Sequence, residues 1–259
     1  MDFNNKKVII TGGGTGIGKA LSKEFIKNGA SVVINGRRKD ILELAAHEID
    51  PSFKKIDFFA GNIGEIEVSK NLIKKCINRF GSIDILINNA GIFTPKSFLE
   101  HNEEDFYNYI DTILKGTFFT SQCVIKEMLK MGGGCIVNIG SMWAIEAIEA
   151  TPSSAYSAAK AGVHALTKNL AIEYAKYKIR VNAVAPAVIS TPIYEGFIEK
   201  EKLDEALSNF NKFHPLGRIG KPEDIVEAVM FLSSDKASFI TGVILPVDGG
   251  VTAGKHLQS

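Results

Sequence analysis

A tyrosine, a lysine and a serine carry the clearest chemistry in this sequence. Tyr156 and Lys160 are four residues apart in an alanine-rich segment of helical character, so they share one face of that helix. A nearby ammonium favours the phenolate and lowers a phenol pKa, which allows proton exchange with a substrate oxygen near neutral pH. Ser141 follows an apolar, strand-like run, and its hydroxyl can hydrogen-bond the same oxygen. The three residues predict acid–base chemistry in which Tyr156 transfers the proton.

A glycine-rich turn from Thr11 to Gly18 follows the first strand-like run and opens a helix. Turns in this position bind the phosphates of dinucleotides. Gly12 permits a tight turn, Gly16 lets the backbone approach a pyrophosphate, and Gly18 lets helix and strand pack closely. The first N–H groups of the helix are free to bind phosphate oxygens. We therefore expect a dinucleotide cofactor at this turn.

The end of the second strand-like run distinguishes NAD from NADP. A carboxylate there would accept from the ribose 2′-hydroxyl, whereas a guanidinium would pair with a 2′-phosphate. The run ends in Asn35, Gly36, Arg37 and Arg38. We predict NADP(H), with Arg37 as the main contact and Arg38 as the second. Two alternatives stay open: an NAD-dependent alcohol dehydrogenase with the same site, and a sensor that binds NADP(H) with little catalysis.

Short apolar runs alternate with amphipathic segments along the whole chain. The strand-like runs are residues 7–11, 31–35, 55–60, 83–88, 135–139, 179–185 and 242–247. Helical patterns cover residues 17–27, 66–80, 103–131, 155–177 and 222–232. This alternation predicts an α/β fold, a doubly wound parallel sheet flanked by helices, in one domain over residues 1–259. Residues 192–215 break the alternation and predict a helical lid over a substrate pocket.

The overall composition excludes several classes of protein. Hydrophobic residues make up 45% of the chain, and the formal net charge is +1, so a basic field for nucleic acid or membrane surfaces is lacking. Cys76, Cys123 and Cys135 form no CxxC pair, which indicates reduced thiols rather than disulfides or a zinc site. With no signal-like stretch and no run of about 18 apolar residues, we expect a cytoplasmic protein without nucleic-acid or membrane partners.

Several motifs in the chain occur together, and in the same order, in one known family. They are Thr11 to Gly18, Asn88-Asn-Ala-Gly91, Ser141, Tyr156 with Lys160, Pro186 with Thr191, and Asp248-Gly-Gly250. On these residues the sequence resembles the short-chain dehydrogenase/reductase family over essentially its whole length. The resemblance implies a Rossmann-type fold with a central sheet of about seven parallel strands. It also implies a small carbonyl or alcohol substrate and assembly into a homotetramer or homodimer.

The same resemblance assigns roles to individual residues. It implies that Tyr156 is the general acid/base, that Lys160 positions the nicotinamide ribose and lowers the tyrosine pKa, and that Ser141 holds the substrate oxygen. Trp143 joins Ser141 and Tyr156 as a substrate-binding residue. The turn and the resemblance together give the cofactor-binding residues as Gly12, Thr15, Gly16, Ile17, Gly18, Arg37, Arg38, Asn62, Ile63, Asn89, Ala90, Gly91, Tyr156, Lys160, Pro186, Val188 and Thr191.

The chain departs from the family pattern at four places. Ser141 lies fifteen residues before Tyr156 where thirteen is common, which predicts a two-residue insertion in residues 142–151. Ile113 lies three residues before Gly116, where many members have an asparagine that anchors a water relay. Ala187 replaces the usual glycine after Pro186, and Asn62 replaces the usual aspartate. From the sequence we expect Ile113→Asn to be tolerated, with unchanged or raised turnover.

Overall fold

The apolar runs form one parallel sheet whose strands present alternate side chains to two cores. In the computed structural model, which describes residues 1–148 and 151–254, Val8 and Ile10 of the first strand face one core and Ile9 faces the other. All three side chains are fully buried, and each such burial stabilises the fold by about 1.5–3 kcal/mol. Burial on both faces explains why the runs are almost continuously apolar.

The sheet has seven strands, all parallel, in the order β3-β2-β1-β4-β5-β6-β7. The strands are β1 (Lys7–Thr11), β2 (Ser31–Gly36), β3 (Ile56–Ala60), β4 (Ile85–Asn88), β5 (Gly134–Ile139), β6 (Ile179–Pro186) and β7 (Ile244–Val247). The order confirms the predicted doubly wound parallel sheet in a single domain. After β3 the chain crosses from one side of β1 to the other, and ligands bind at this kind of switch point between neighbouring strands.

Helices cover both faces of the sheet. They are α1 (Gly16–Lys27), α2 (Lys39–Ile49), α3 (Ile66–Phe80), α4 (Glu103–Tyr109), α5 (Gly116–Met131), α6 (Ser154–Tyr174), α7 (Leu203–Asn209) and α8 (Pro222–Ser233). The first core lies between the sheet and α1, α2 and α8, and the second lies between the sheet and α3, α5 and the end of α6. This packing holds the amino end of α1 and one face of α6 against the carboxyl edge of the sheet.

The helix predicted over residues 103–131 is interrupted in the structure. A π-helical turn, Ile110–Lys115, separates α4 from α5. Two glycines allow another segment to approach this turn closely. A Cβ on Gly64 would lie 3.0 Å from the Asp111 carbonyl oxygen, and one on Gly116 would lie 3.0 Å from Ile63 Cγ2. The irregularity therefore depends on tertiary packing, and π-turns of this kind are frequent at functional sites.

Residues 192–215 are helical in part, as predicted. They form two 3₁₀ turns, Pro192–Gly196 and Lys200–Lys202, followed by α7. Leu207 is buried, and Phe210 and Phe213 pack in the same apolar cluster as Trp143 and Tyr156. The segment thus lies on the residues predicted to bind substrate.

Membrane-spanning helices and clusters of metal-binding side chains are both absent from the described ranges. None of the helices there has the length and apolar character needed to span a bilayer. Within residues 1–148 and 151–254, no three histidine, cysteine or acidic side chains group in a way that would bind a metal ion.

Candidate active site

A cleft of about 720 Å³ lies at the carboxyl edge of the sheet. Of the residues predicted to bind cofactor or substrate, all except Gly18 and Val188 line it. Gly18 lies beneath the glycine turn, where a Cβ would come within 2.1 Å of the Gly12 carbonyl oxygen. Val188 does not line the cleft with its side chain, and its predicted contact with the cofactor stays a prediction. Its side chain is buried and its carbonyl accepts from the Gly220 N–H at 2.9 Å, while Ala187 and Ile189 line the cleft.

The glycine turn has the geometry that a dinucleotide needs. Gly12 and Gly16 have φ angles of +65° and +50°, which favour glycine. Thr15 precedes α1, and its side chain makes no capping hydrogen bond to the helix. Gly16 and Ile17, the first residues of α1, line the cleft, and a Cβ on Gly12 would lie 2.9 Å from Ala90 Cα. These features fit the pyrophosphate of a nicotinamide dinucleotide.

The loop after β4 is fastened to this turn by four hydrogen bonds. The backbone N–H groups of Asn89 and Ala90 both donate to Thr11 Oγ1 at 3.0 Å. Asn89 Nδ2 donates to the carbonyl oxygens of Thr11 and Gly12, also at 3.0 Å. The carboxyl ends of β1 and β4 are thereby held in a fixed relation, which sets the shape of the cleft.

Two arginines lie at the far end of the cleft from Tyr156's helix, just beyond β2. Arg37 and Arg38 are exposed and line the cleft. Neither guanidinium forms a hydrogen bond or ion pair with any other residue that the structure describes. No aspartate or glutamate lines the cleft near them; the only acidic lining residue in the described ranges, Glu195, belongs to the segment after β6. The adenosine end of the cleft is therefore electropositive.

Ser141 and Tyr156 meet at the other end of the cleft. The Ser141 side chain is only 2% exposed, and its Oγ accepts from the Trp143 N–H at 3.2 Å. Its hydroxyl also hydrogen-bonds the phenol of Tyr156. The strand β5 ends at Ile139, so Ser141 lies just past the carboxyl edge, and Tyr156 reaches it from the first turn of α6.

Lys160 is buried one turn further along α6. Its Nζ donates to the carbonyl oxygen of Ile139 at 2.5 Å and lies 5.8 Å from the centre of the Tyr156 ring. A Cβ on Gly91 would lie 3.8 Å from the same Nζ. The ammonium is thus placed between the end of β5, the loop after β4 and the tyrosine.

Burial controls the pKa values of this pair. Burial raises the pKa of Tyr156 to about 12, although the hydrogen bond from Ser141 acts in the opposite direction. Burial also lowers the pKa of Lys160 to about 8. The net pKa of Tyr156 is therefore raised rather than lowered, because desolvation of the phenolate is the largest effect. Tyr156 carries its proton at neutral pH.

A chain of buried amides supports the strands that carry these residues. Asn88 Nδ2 donates to Asn138 Oδ1 at 2.8 Å and to Ser121 Oγ at 3.0 Å. Asn138 Nδ2 donates in turn to Thr167 Oγ1 on α6 at 2.8 Å. Since unpaired buried amides would cost about 1–3 kcal/mol each, these bonds fix β4, β5 and α6 relative to one another.

Comparison with known proteins assigns the chain to a family. Residues 12–252 match the profile of a family described as enoyl-(acyl carrier protein) reductase. The chain is 38% identical to a 3-oxoacyl-(acyl-carrier-protein) reductase FabG of Thermotoga maritima, over 97% of this chain and 99% of the relative. It is 36% identical to a cyclohexanol dehydrogenase of an Acinetobacter species, over 97% and 96%. A short-chain type dehydrogenase/reductase from Mycobacterium marinum superposes with a TM-score of 0.91 at 32% identity, covering 98% of both chains.

The chain belongs to the short-chain dehydrogenase/reductase family. The family uses a nicotinamide cofactor, and this protein is an oxidoreductase of that family. Membership agrees with the order of the motifs along the chain and with the cleft that most of them line.

Ile113 is the residue at which this member departs most from the family pattern. It lies in the π-turn, is 1% exposed, and packs with Tyr109, Ala155, Ala159 and Val163. Its burial argues against the expectation that asparagine would be tolerated here, because an amide in this apolar cluster would lack a partner. Neither sequence neighbour replaces the asparagine: Asp111 pairs with Lys115 at 3.1 Å, and Thr112 lines the cleft without a side-chain hydrogen bond to the described residues.

The sequence did not single out Phe93, which lies at the centre of the substrate end. Its ring is 4.9 Å from the ring of Tyr156, 6.0 Å from Trp143 and 5.8 Å from Phe197, measured between ring centres. Tyr194 lies 5.9 Å from Phe197 and also lines the cleft. Phe93 lies two residues after the Asn-Ala-Gly segment at the end of β4. That position in the sequence could have indicated a residue of the cleft.

Proposed function

We propose that this protein interconverts a secondary alcohol and a ketone with NADP(H), and that Tyr156 transfers the proton. One observation carries the proposal: the hydroxyls of Ser141 and Tyr156 hydrogen-bond each other inside the cleft that begins at the glycine turn. A carbonyl oxygen placed between them would accept from both. Two relatives have names that refer to a 3-oxo compound and to a cyclic secondary alcohol, which supports the same reaction class.

The residues of the chain handle the oxygen and the proton, and a bound nicotinamide supplies or accepts the hydride. In ketone reduction, Tyr156 donates its proton to the oxygen while Ser141 donates a hydrogen bond. Both stabilise the negative charge that develops there. Lys160 adds a buried positive charge nearby and is placed to hold ribose hydroxyls. Because the pKa of Tyr156 is raised to about 12, the proton for reduction is present throughout the neutral range.

We propose NADP(H) rather than NAD(H) because of the charges at the adenosine end. Arg37 and Arg38 are exposed cations on the cleft wall without an ion-pair partner among the described residues. A 2′-phosphate would provide that partner through charge-assisted hydrogen bonds. An enzyme built for the 2′-hydroxyl would have an acidic acceptor there, which this chain lacks.

The substrate end supports an uncharged, apolar substrate. Phe93, Trp143 and Tyr194 form aromatic walls next to Tyr156. Glu195 is the one charged side chain that the segment 192–215 contributes to the lining in the described part of the chain, and it would repel an anionic substrate. A neutral cyclic ketone buries its faces against aromatic rings without desolvating a charge. We therefore propose this class, with residues 192–215 acting as the lid that covers it.

We also propose that the protein is a cytoplasmic homodimer or homotetramer. Phe106, Tyr107 and Phe118 are more than 40% exposed around the π-turn, and an apolar surface of this kind is typical of contacts between copies. Its cysteines are unpaired, which is usual for proteins in a reducing compartment. Light scattering coupled to size exclusion would measure the number of copies.

The main test is turnover of a panel of cyclic and open-chain ketones and their alcohols with each nicotinamide cofactor. We expect oxidation of NADPH with neutral cyclic ketones in the wild-type protein. Tyr156→Phe should lower kcat by about 10²–10³ with NADPH affinity nearly unchanged, because it removes only the donor to the oxygen. Tyr177→Phe, an exposed tyrosine just beyond α6, is the matched control. Wild-type turnover in Tyr156→Phe, or no turnover of any carbonyl by the wild type, would refute the proposal.

A further inference from the structure

A buried histidine contacts the backbone of the serine that the proposed reaction uses. His164 lies on α6, one turn after Lys160 and two turns after Tyr156, so the three side chains share a face of the helix. It is 8% exposed, and its Nε2 accepts a hydrogen bond from the Ser141 N–H at 3.3 Å. Neither Ser141 Oγ nor Tyr156 is contacted by His164 through a hydrogen bond in the described residues. Its link to the reaction is therefore through the serine backbone.

This hydrogen bond continues the anchoring of β5 beyond the end of the strand. The N–H of Gly140 still donates to the Val184 carbonyl oxygen of β6 at 2.8 Å. Ser141 is the next residue, and its N–H has His164 as its partner instead of a strand. Because Ser141 is only 2% exposed, an unpaired N–H there has no route to water. His164 thus fixes the peptide from which the Ser141 side chain projects.

The space for the imidazole exists only because residue 140 is glycine. A Cβ on Gly140 would lie 2.1 Å from His164 Nε2 and 2.7 Å from Cδ2. Real atoms do not approach so closely, so any larger residue at 140 would displace the ring. The φ angle of Gly140 is not in the left-handed region, so backbone strain does not explain the glycine. The absence of a side chain at Gly140 therefore leaves the space that the His164 ring occupies.

The protonation state of His164 suits an acceptor. Burial, together with the positive charges of Lys160 and Lys168, lowers the pKa of His164 to about 4. The ring is therefore neutral at the pH at which a dehydrogenase works, and the proton lies on Nδ1 so that Nε2 can accept.

We propose that His164 is a positioning residue that holds the Ser141 backbone so that the serine hydroxyl stays beside the Tyr156 phenol. The inference rests on the proposed function, because it needs Ser141 to bind the reacting oxygen. A displacement of about 1 Å in a group that contacts the reacting oxygen can cost about 100-fold in rate. The effect of losing His164 should therefore appear in kcat and depend on Ser141.

The variants His164→Met and His164→Gln form a matched pair for the test. The two side chains have similar length, but only glutamine keeps an acceptor that can reach the Ser141 N–H. We expect His164→Met to lose roughly 10- to 100-fold in kcat with NADPH affinity unchanged, and His164→Gln to recover most of it. In the Ser141→Ala background, His164→Met should cost less than about twofold more, because the group that it positions is gone. Equal losses in both backgrounds, or equal losses in the Met and Gln variants, would overturn the proposal.

Two further measurements cover the case in which His164→Met does not fold. Gly140→Ala should displace the His164 ring and lower kcat by the same 10- to 100-fold. Full activity in this variant would overturn the proposal. Nitrogen NMR of labelled histidine in the wild type should show a bare Nε2 on His164 from about pH 5.5 to 8.5, and a protonated Nε2 would overturn it. If the wild type turns over no ketone, the proposed function is refuted instead. Failure of the His164 proposal can thus be distinguished from failure of the proposed function.

Discussion

Replacing Arg37 with alanine should weaken NADPH and leave NADH unaffected. The guanidinium lines the adenosine end of the cleft and has no ion-pair partner among the described residues, so no intramolecular bond is lost with it. The two cofactors differ only in the 2′-phosphate at this end. Any selective effect of Arg37→Ala on NADPH therefore measures contact between residue 37 and that phosphate.

The exposure of Arg37 sets the size of the effect. Two unit charges about 4 Å apart interact by about 1 kcal/mol in bulk water and by about 4 kcal/mol at the effective dielectric near a protein surface. Arg37 is exposed, so solvent and salt screen the pair, and about 1–2 kcal/mol is the reasonable range. That energy corresponds to about a 5- to 30-fold rise in the dissociation constant of NADPH. The rise should shrink at high ionic strength.

Direct binding can be measured without turnover. Trp143 is the only tryptophan in the sequence and lines the cleft, so its fluorescence should report both cofactors. Lys39→Ala removes an exposed charge two residues away that does not line the cleft, and it serves as the control. If Arg37→Ala weakens NADPH and NADH by equal factors, or if the wild type binds NADH more tightly, the assignment of NADP(H) is wrong.

Two other predictions follow from burial. Since the pKa of Tyr156 is raised to about 12, the rate of ketone reduction should be constant from about pH 6 to 7.5. Alcohol oxidation needs the phenolate, so its rate should rise about tenfold per pH unit over the same range. A reduction rate that already falls in this range would show a lowered tyrosine pKa. Ile113→Asn should destabilise the fold by about 1–3 kcal/mol in urea unfolding, because Ile113 is 1% exposed among apolar side chains. An Ile113→Val control should cost less, and an unchanged midpoint for the asparagine variant would show that its amide finds a partner.

Local sequence was sufficient to predict the sheet but not all of the helices. The inner strands were visible because burial on both faces requires a nearly continuous apolar run, whereas the edge strands β3 and β7 are only partly buried. The helix α2 was not predicted: only Leu42, Ala45 and Ala46 of its residues are buried, and its N-cap residue, Arg38, makes no side-chain capping bond. The break of residues 103–131 into α4, a π-turn and α5 was also missed, because it depends on contacts with a segment some fifty residues earlier in the chain.

The site was predicted to the extent that its residues belong to motifs. The glycine turn, Ser141, Tyr156 and Lys160 lie in the cleft because each is tied to the end of a strand or the start of a helix, whose places follow from the fold. Phe93 was missed although it follows a recognised motif, because its contact with Phe197 of the segment after β6 is not visible in the local sequence. The raised net pKa of Tyr156 was not predicted, since spacing shows the neighbouring charge but not the loss of water.

The proposed chemistry depends on the end of β5 and on α6, which three polar contacts join at the site itself. The end of β5 presents the Ile139 carbonyl oxygen to Lys160, the Ser141 hydroxyl to Tyr156, and the Ser141 N–H to His164. The three partners are spaced by one turn each along α6, so a shift of the helix along its axis would disturb all three contacts together. Single substitutions at these positions should therefore be strongly non-additive, because each one removes part of the same arrangement. Independent, additive losses would mean that helix and strand end do not act as one unit, and the placement of the proton donor would then need another explanation.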